Sequence, residues 1–290
     1  MKALTFSIVA GSLACNARCP FCVAGMTPAN GVGQKEPEVN WRNFRKAAQL
    51  ARDSQCSIAK LTSKGEPTIF PNQITRFLEE LEPFNFPLSE IQTNGILIAE
   101  GRKIDDEMLK RWYELGLTTV AISVVHWEPE KNREIYVPHR PEYIDLPALV
   151  AKLKAVGFLV RFTTVLVKGY IDSVEAVDGM LAYCREHKVD QLTMIPVTKP
   201  DQTEDEGIYN WTAAHAVSQE FADEVSAHLE ANGTRLLEYA HGGIIYDVGG
   251  QNVCFTNCLT MPKNDEMRHL IFYPDGAVRY AWQYAGARIL

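Results

Sequence analysis

No apolar run in this chain of 290 residues approaches the roughly 18 residues that a membrane-crossing helix needs. The longest runs, 118–125 and 158–167, have the length of strands, and no membrane association is expected. Stretches dense in Lys and Arg are also lacking: 29 basic residues against 36 acidic ones leave a net charge of −7. The electrostatic footprint of a nucleic-acid binder is therefore missing, and a large RNA or DNA substrate is disfavoured. There is no low-complexity tract, Ser/Gly linker or short repeat. The seven cysteines are odd in number and unevenly placed, which excludes a disulfide scaffold and points to metal or redox chemistry for a subset. The N-terminus has one Lys, an apolar stretch and small residues, the ingredients of a signal peptide. Its charged region is thin, however, and cleavage would sever a cysteine cluster from its strand. It reads as a core strand, and the protein as cytoplasmic.

What is present is an alternation of strand-like and helical segments. Strand-like runs fall at 3–10, 57–61, 90–93, 118–125, 158–167 and 191–197. Between them lie apolar stripes at helical spacing: Phe44, Ala47, Ala48 and Ala51 behind a candidate N-cap at Asn40; Leu146, Leu149, Val150, Leu153 and Val156; and Val174, Val177, Leu181 and Cys184. Such β–α units imply an α/β fold with a parallel sheet and right-handed crossovers, curved or closed into a barrel. Chemistry in such folds collects at the carboxyl ends of the strands. The polar oddities of this sequence fall there: the cysteine cluster, the segment 63–67, Thr93 to Gly95, His126 and Lys168 follow the first five strands in turn. After residue 199 the pattern changes. An acidic loop, 201–207, leads to a helix with Ala214, Val217, Phe221 and Val225 on one face. Two β-like pieces follow, 243–248 and 269–280, the second turning at Pro274, Asp275 and Gly276. The expected organisation is a core of residues 1–199 and an α+β extension, 200–290, capping it.

Cys15, Cys19 and Cys22 form a CxxxCxxC spacing just past the first strand. Three thiolates are one fewer than a closed tetrahedral zinc site or a fully ligated [4Fe–4S] cube requires. The next histidine is His126, too distant in sequence to be an obvious fourth ligand. With three cysteines, one iron of a cube keeps an open position. This spacing, with Phe21 directly before the third cysteine, resembles the radical S-adenosylmethionine (SAM) superfamily. The resemblance implies a partial (β/α)6 barrel that holds a [4Fe–4S] cluster on Cys15, Cys19 and Cys22. SAM would chelate the open iron and be cleaved reductively to a 5′-deoxyadenosyl radical, with a reductant such as flavodoxin or ferredoxin as partner.

The same resemblance assigns further positions. Gly65, Glu66 and Pro67 are similar to the family's Gly-Gly-Glu-Pro segment, whose backbone carbonyls receive the SAM amino group; Lys64 stands where its first Gly would be. Asn94, in a Thr-Asn-Gly ending, and Ser123, in the fourth strand, are implied SAM contacts. Phe21 would border the adenine. Arg161, on one face of the fifth strand with Thr163 and Val165, would pair with the SAM carboxylate, the other reading being neutralisation by one of the barrel's own carboxylates. His126 is the candidate for binding substrate or moving a proton. Lys168 and Tyr170 are further rim candidates.

In the tail, Cys254 and Cys258 followed by an Asp-Gly hairpin resemble an auxiliary-cluster module whose closing cysteine, near 280–282, is absent. A degenerate module or reactive thiols near substrate are the other readings. The expected activity is hydrogen abstraction from a small molecule, such as a cofactor or natural-product precursor, or from a peptide. An RNA-modifying enzyme and a non-catalytic zinc protein are the rivals.

Overall fold

The computed structural model describes residues 2–257, 259 and 266–290. Its strands are β1 (Lys2–Val9), β2 (Ile58–Thr62), β3 (Leu88–Thr93), β4 (Thr119–Val124), β5 (Leu159–Leu166), β6 (Gln191–Pro196), β7 (Thr234–Glu238), β8 (Ile244–Val248), β9 (Gln251–Phe255), β10 (Glu266–Phe272) and β11 (Val278–Arg279). The helices are α1 (Val23–Met26), α2 (Trp41–Asp53), α3 (Pro71–Leu81), α4 (Ile96–Glu100), α5 (Asp106–Glu114), α6 (Pro129–Tyr136), α7 (Leu146–Val156), α8 (Val174–Glu186), α9 (Glu206–His215) and α10 (Gln219–Asn232).

The six strands read from the sequence are β1 to β6, and they pair in chain order, all parallel. Crossover helices cover one face. Phe6, Ile8, Leu61, Ile91, Ile122, Phe162 and Leu192 bury that face against the helix stripes. The helices begin where the sequence signals them. Asn40 caps α2 by accepting from the Asn43 N–H at 3.1 Å, and Asp145 caps α7 by accepting from the Ala148 N–H at 2.9 Å. Gly157, at φ +116°, ends α7 in a conformation that a side chain would resist. The alternate residues of the strands (Ser7, Lys60, Glu90, Ala121, Ser123, Arg161, Thr163 and Thr193) lie on the opposite face. That face is unusually polar for the inside of a curved sheet.

The last ninety residues are wound into the same sheet. Its full order is β11-β10-β1-β2-β3-β4-β5-β6-β9-β8-β7, and it stays open. β10 pairs parallel to β1, and β9 parallel to β6, so the extension supplies a partner for both edges of the six-stranded core. An edge left bare would expose a row of unsatisfied backbone groups. The extension also lies over the cysteine loop, where the Trp211 ring of α9 sits 6.0 Å from that of Phe21. The single helix expected through 214–225 is two helices, α9 and α10. Ala216 is extended, and Ser218 restarts the chain as a cap, its hydroxyl accepting from the Phe221 N–H at 3.2 Å.

Candidate functional site

The site is assembled at the carboxyl ends of β1 to β4. Beyond β1 the chain turns through Gly11, at φ +73°, whose N–H donates to Gln73 Oε1 at 2.6 Å. The loop carrying the cysteines is then held from two sides. The Ala14 carbonyl accepts from the Glu66 N–H at 2.9 Å, and the Arg18 N–H donates to the Tyr136 carbonyl at 2.8 Å. Cys15 is exposed, while Cys19 and Cys22 are half-buried; Cys22 opens α1, its carbonyl accepting from Gly25 and Met26. Desolvation of its sulfur, then the charges of Glu66 and Cys22, push the Cys15 thiol up to about 11 against the pull of the Ala17 N–H, and burial with the other two cysteines raises Cys19 well above its ordinary value. Both therefore hold their protons at neutral pH in the metal-free protein, and loading a metal must expel them.

These thiols fit an iron–sulfur cluster. They lie near enough to feel one another's charge, and the Ala17 N–H already points at the Cys15 sulfur at 3.4 Å. Among the described residues no three His, Cys, Asp or Glu side chains are grouped tightly enough to hold a single metal ion. A cube of four irons spreads its cysteine ligands wider than one ion does.

The turn after β2 presses directly on this loop. A Cβ at Gly65 would stand 2.2 Å from the Ala14 carbonyl oxygen, so glycine is the residue that allows the contact. Lys64 is buried; its ammonium donates to the Thr27 carbonyl and hydroxyl, both at 2.8 Å, and so ties the turn to the end of α1. Desolvation lowers its pKa to about 8 against the pull of Cys22 and Glu204. Pro67 starts a short 3-10 turn, Pro67–Ile69.

The expected SAM contact of this segment is through backbone carbonyls, and the Glu66 carboxylate has a task of its own inside the protein. Oε1 accepts from the Thr68 N–H at 3.0 Å, the Thr68 hydroxyl at 2.5 Å and the Thr93 hydroxyl at 2.6 Å, and Oε2 accepts from the Asn94 N–H at 2.8 Å. Burial raises its pKa, and these four donors oppose the rise. Glu66 thus bolts the end of β2 to the end of β3. Asn94 continues the brace: its amide donates to Asn16 Oδ1 at 2.6 Å and its own oxygen accepts from the Ile96 N–H at 3.1 Å. The side chain thereby grips the cysteine loop.

The Arg161 guanidinium pairs with buried Glu90 at 2.6 Å, reaching across β4 at Ala121, whose methyl leaves room. This contact is of the second kind read for it, pairing with one of the barrel's own carboxylates. Phe21 is buried edge-on to Tyr136 (6.2 Å) and against Trp211, so it packs the loop onto α6 and α9. Ser123 lies on the polar face of β4, as expected, opposite Thr163. His126 is 6% exposed, stacked on Trp127, and its Nδ1 accepts from the Glu128 N–H at 3.0 Å; the proton is therefore on Nε2. Burial lowers its pKa. Lys168 is exposed, and Tyr170 lies under the Lys131 ammonium. Cys254 is half-buried on β9; Cys258 lies outside the described residues, and Cys56 and Cys184 are core residues.

Deeper in the curve lies a group that the sequence reading did not single out. His241, in the turn before β8, and His269, on β10, are buried, and each leaves Nδ1 without a partner. Burial and the charges of Arg268 and Lys60 push His241 down to about 4; burial, Lys60, Arg268 and His241 push His269 well below its ordinary value. Because folding depresses these values, the stability that neutral imidazoles contribute is complete above about pH 6.5 and is lost as pH falls toward 4. Thermal melts across that window are expected to decline more steeply for the wild type than for His241→Gln. Parallel profiles would show that His241 does not titrate with unfolding. A cavity of about 560 Å³ opens beside His241, between the carboxyl ends of β6 and β9 and the start of α10.

The profile of the radical SAM superfamily matches residues 11–212. GTP 3′,8-cyclase of Aquifex aeolicus (strain VF5) is 26% identical over 169 residues, covering 54% of this chain and 46% of that protein. The chain spans about half the length of the curated relatives it matches. Among solved structures, Streptococcus suis SuiB bound to S-adenosylmethionine aligns at a TM-score of 0.58 and 16% identity, over 96% of this chain and 58% of that one. Native anSMEcpe with bound AdoMet aligns at 0.61 and 15%, over 98% and 77%. At these identities the structural likeness is one of fold. No helix among the described residues is long and apolar enough to cross a membrane.

Proposed function

Because the chain belongs to the radical SAM superfamily, we propose that it cleaves SAM reductively at a [4Fe–4S] cluster held by Cys15, Cys19 and Cys22, and then abstracts hydrogen from a small organic molecule or a peptide. The observation that carries this reading is the contact between two loops. The cysteine segment is pinned through the Ala14 carbonyl to the Gly65–Glu66 turn, and that turn is bolted by Glu66 to the Thr93–Asn94 ending of β3. Three consecutive strand ends are thereby locked into one rigid platform, as a site that must align three reacting groups requires.

With cluster and SAM bound, the site supplies one-electron cleavage of a sulfonium carbon–sulfur bond and a carbon radical strong enough to take substrate hydrogen. The protein's own residues position and exclude. Gly65 lets the backbone of the turn close against the loop. Lys64 carries a buried positive charge toward Cys22, which favours a cluster holding one more electron. Phe21, Tyr136 and Trp211 close the flank of the loop with aromatic surface and keep water from it. His126, its Nδ1 engaged, is left with Nε2–H as its donor toward any substrate group at the rim. A reductant such as flavodoxin or ferredoxin delivers the electron.

Anaerobic reconstitution with iron and sulfide, then dithionite and SAM, tests the proposal. Chromatography is expected to find 5′-deoxyadenosine and methionine in equal amounts. Protein with a fully assembled cluster that yields neither would overturn it.

A further inference from the structure

We propose that the chamber enclosed by β2, β5, β9 and β10, together with the cavity beside His241, binds an anionic group of the substrate, a carboxylate or a phosphate. This rests on the function proposed above and names the substrate class of that same site. Lys60 and Glu90 stand opposite each other on β2 and β3, and Arg161 reaches Glu90 from β5. The pair leaves Arg161 Nε buried with no partner. From β10, Arg268 is tethered by Nη1 to the Asn257 carbonyl at 2.5 Å, on the wall of the cavity. Lys60 and Arg268 have interactions of their own, but their charges reach both His241 and His269, and those of Arg161 and Arg268 reach Cys254, a local concentration of cations in a protein whose net charge is −7.

Around this field lie polar atoms that no described residue satisfies. His241 and His269 each present an unpartnered Nδ1, and Thr256, on the cavity wall, an unpartnered hydroxyl. Buried polar groups are rarely left unpaired, and an exception calls for a missing partner. With both imidazoles neutral, each has a tautomer that donates an N–H inward, as an anion would require. The cavity's two acidic side chains are already occupied, Asp223 by Gln219 and Glu238 by Arg235. At about 560 Å³ the space is that of a small-molecule pocket, and it opens at the carboxyl ends of β6 and β9, on the face that carries the cysteines. Cys254 lies within reach of the same Arg161 and Arg268 charges.

The test uses the whole 290-residue chain, reconstituted anaerobically, with pyrophosphate and malonate as probes in separate calorimetric titrations. At least one is expected to bind one-to-one. Arg268→Gln should weaken it about tenfold or more, and Arg268→Lys far less; should the glutamine variant not fold, Lys60→Met carries the comparison. Pyrophosphate binding alone identifies a phosphate substrate, malonate binding alone a carboxylate. Heat from neither probe, or binding unchanged in the charge-removing variants, overturns the assignment. The same preparations are assayed for 5′-deoxyadenosine. SAM cleavage without anion binding sinks the chamber's role alone, whereas an assembled cluster that cleaves no SAM sinks the proposed function, and the substrate class with it.

Discussion

Replacing Cys19 by alanine is expected to lower 5′-deoxyadenosine formation by about 10³-fold or more. Losing a group that only hydrogen-bonds a metal ligand already costs about 10–100-fold, and loss of the ligand itself removes more. The same outcome is expected for Cys15→Ala and Cys22→Ala. Two remaining thiolates would leave a cube with two irons lacking protein ligands, so both cluster retention and the single open position are lost. Burial and the neighbouring cysteines hold the Cys19 thiol protonated, so its thiolate becomes favourable only with metal to neutralise it. Cys184→Ala provides the contrast. That side chain lies in the core stripe of α8, so the variant should melt at a lower temperature yet assemble its cluster and cleave SAM at close to the wild-type rate. Iron content, the visible absorption of the cluster and product yield, measured together, separate the two classes. An alanine variant at Cys15, Cys19 or Cys22 that kept a tenth of the wild-type product would refute the ligand assignment.

The features legible in the sequence were those governed by local periodicity and spacing. The six core strands and the α2, α7 and α8 stripes follow from alternation and from apolar spacing, which a chain cannot hide if it is to bury one face. The cysteine spacing was legible for a similar reason: three ligands on one short loop need no tertiary information to be seen together. The roles of Glu66, Asn94 and Arg161 were not legible, because each depends on a partner from another strand. The Glu66 carboxylate finds its donors only when Thr93 and Asn94 arrive on the next strand, and Arg161 its carboxylate only when Glu90 comes from two strands away. The tail was hardest. Its strands pair with β1 and β6, across sequence separations that local pattern does not encode, and the helix break at 216–218 depends on a serine cap within an otherwise continuous apolar stripe. The histidines and cations of the chamber shared no spacing at all; only the register of the sheet brings β2, β5, β9 and β10 around one space.

Gly65→Ala is expected to reduce SAM cleavage about a hundredfold while leaving most of the fold intact. The added methyl group would meet the Ala14 carbonyl oxygen at 2.2 Å, its carbon at 2.7 Å and the Leu13 carbonyl carbon at 2.8 Å. All three are backbone atoms, so no side-chain rotation relieves the clash. Either the turn or the cysteine loop must retreat, and the Glu66 N–H to Ala14 bond is broken when it does. Cys15 is the next residue, so the displacement is delivered to the cluster itself. A misplacement of about 1 Å in a reacting group can cost about 10²-fold in rate, whereas overpacking typically costs about 1–3 kcal/mol of stability. The activity loss should therefore exceed anything explained by unfolded protein. Gly33→Ala is the matched control. A Cβ at Gly33 meets nothing within 4 Å, although its carbonyl accepts from Leu13 on the other side of the same loop; it should melt and turn over like the wild type. If Gly65→Ala cleaves SAM within threefold of wild type, the turn does not set the position of the cysteine loop, and the rigid platform inferred from three strand ends is not what aligns the reaction.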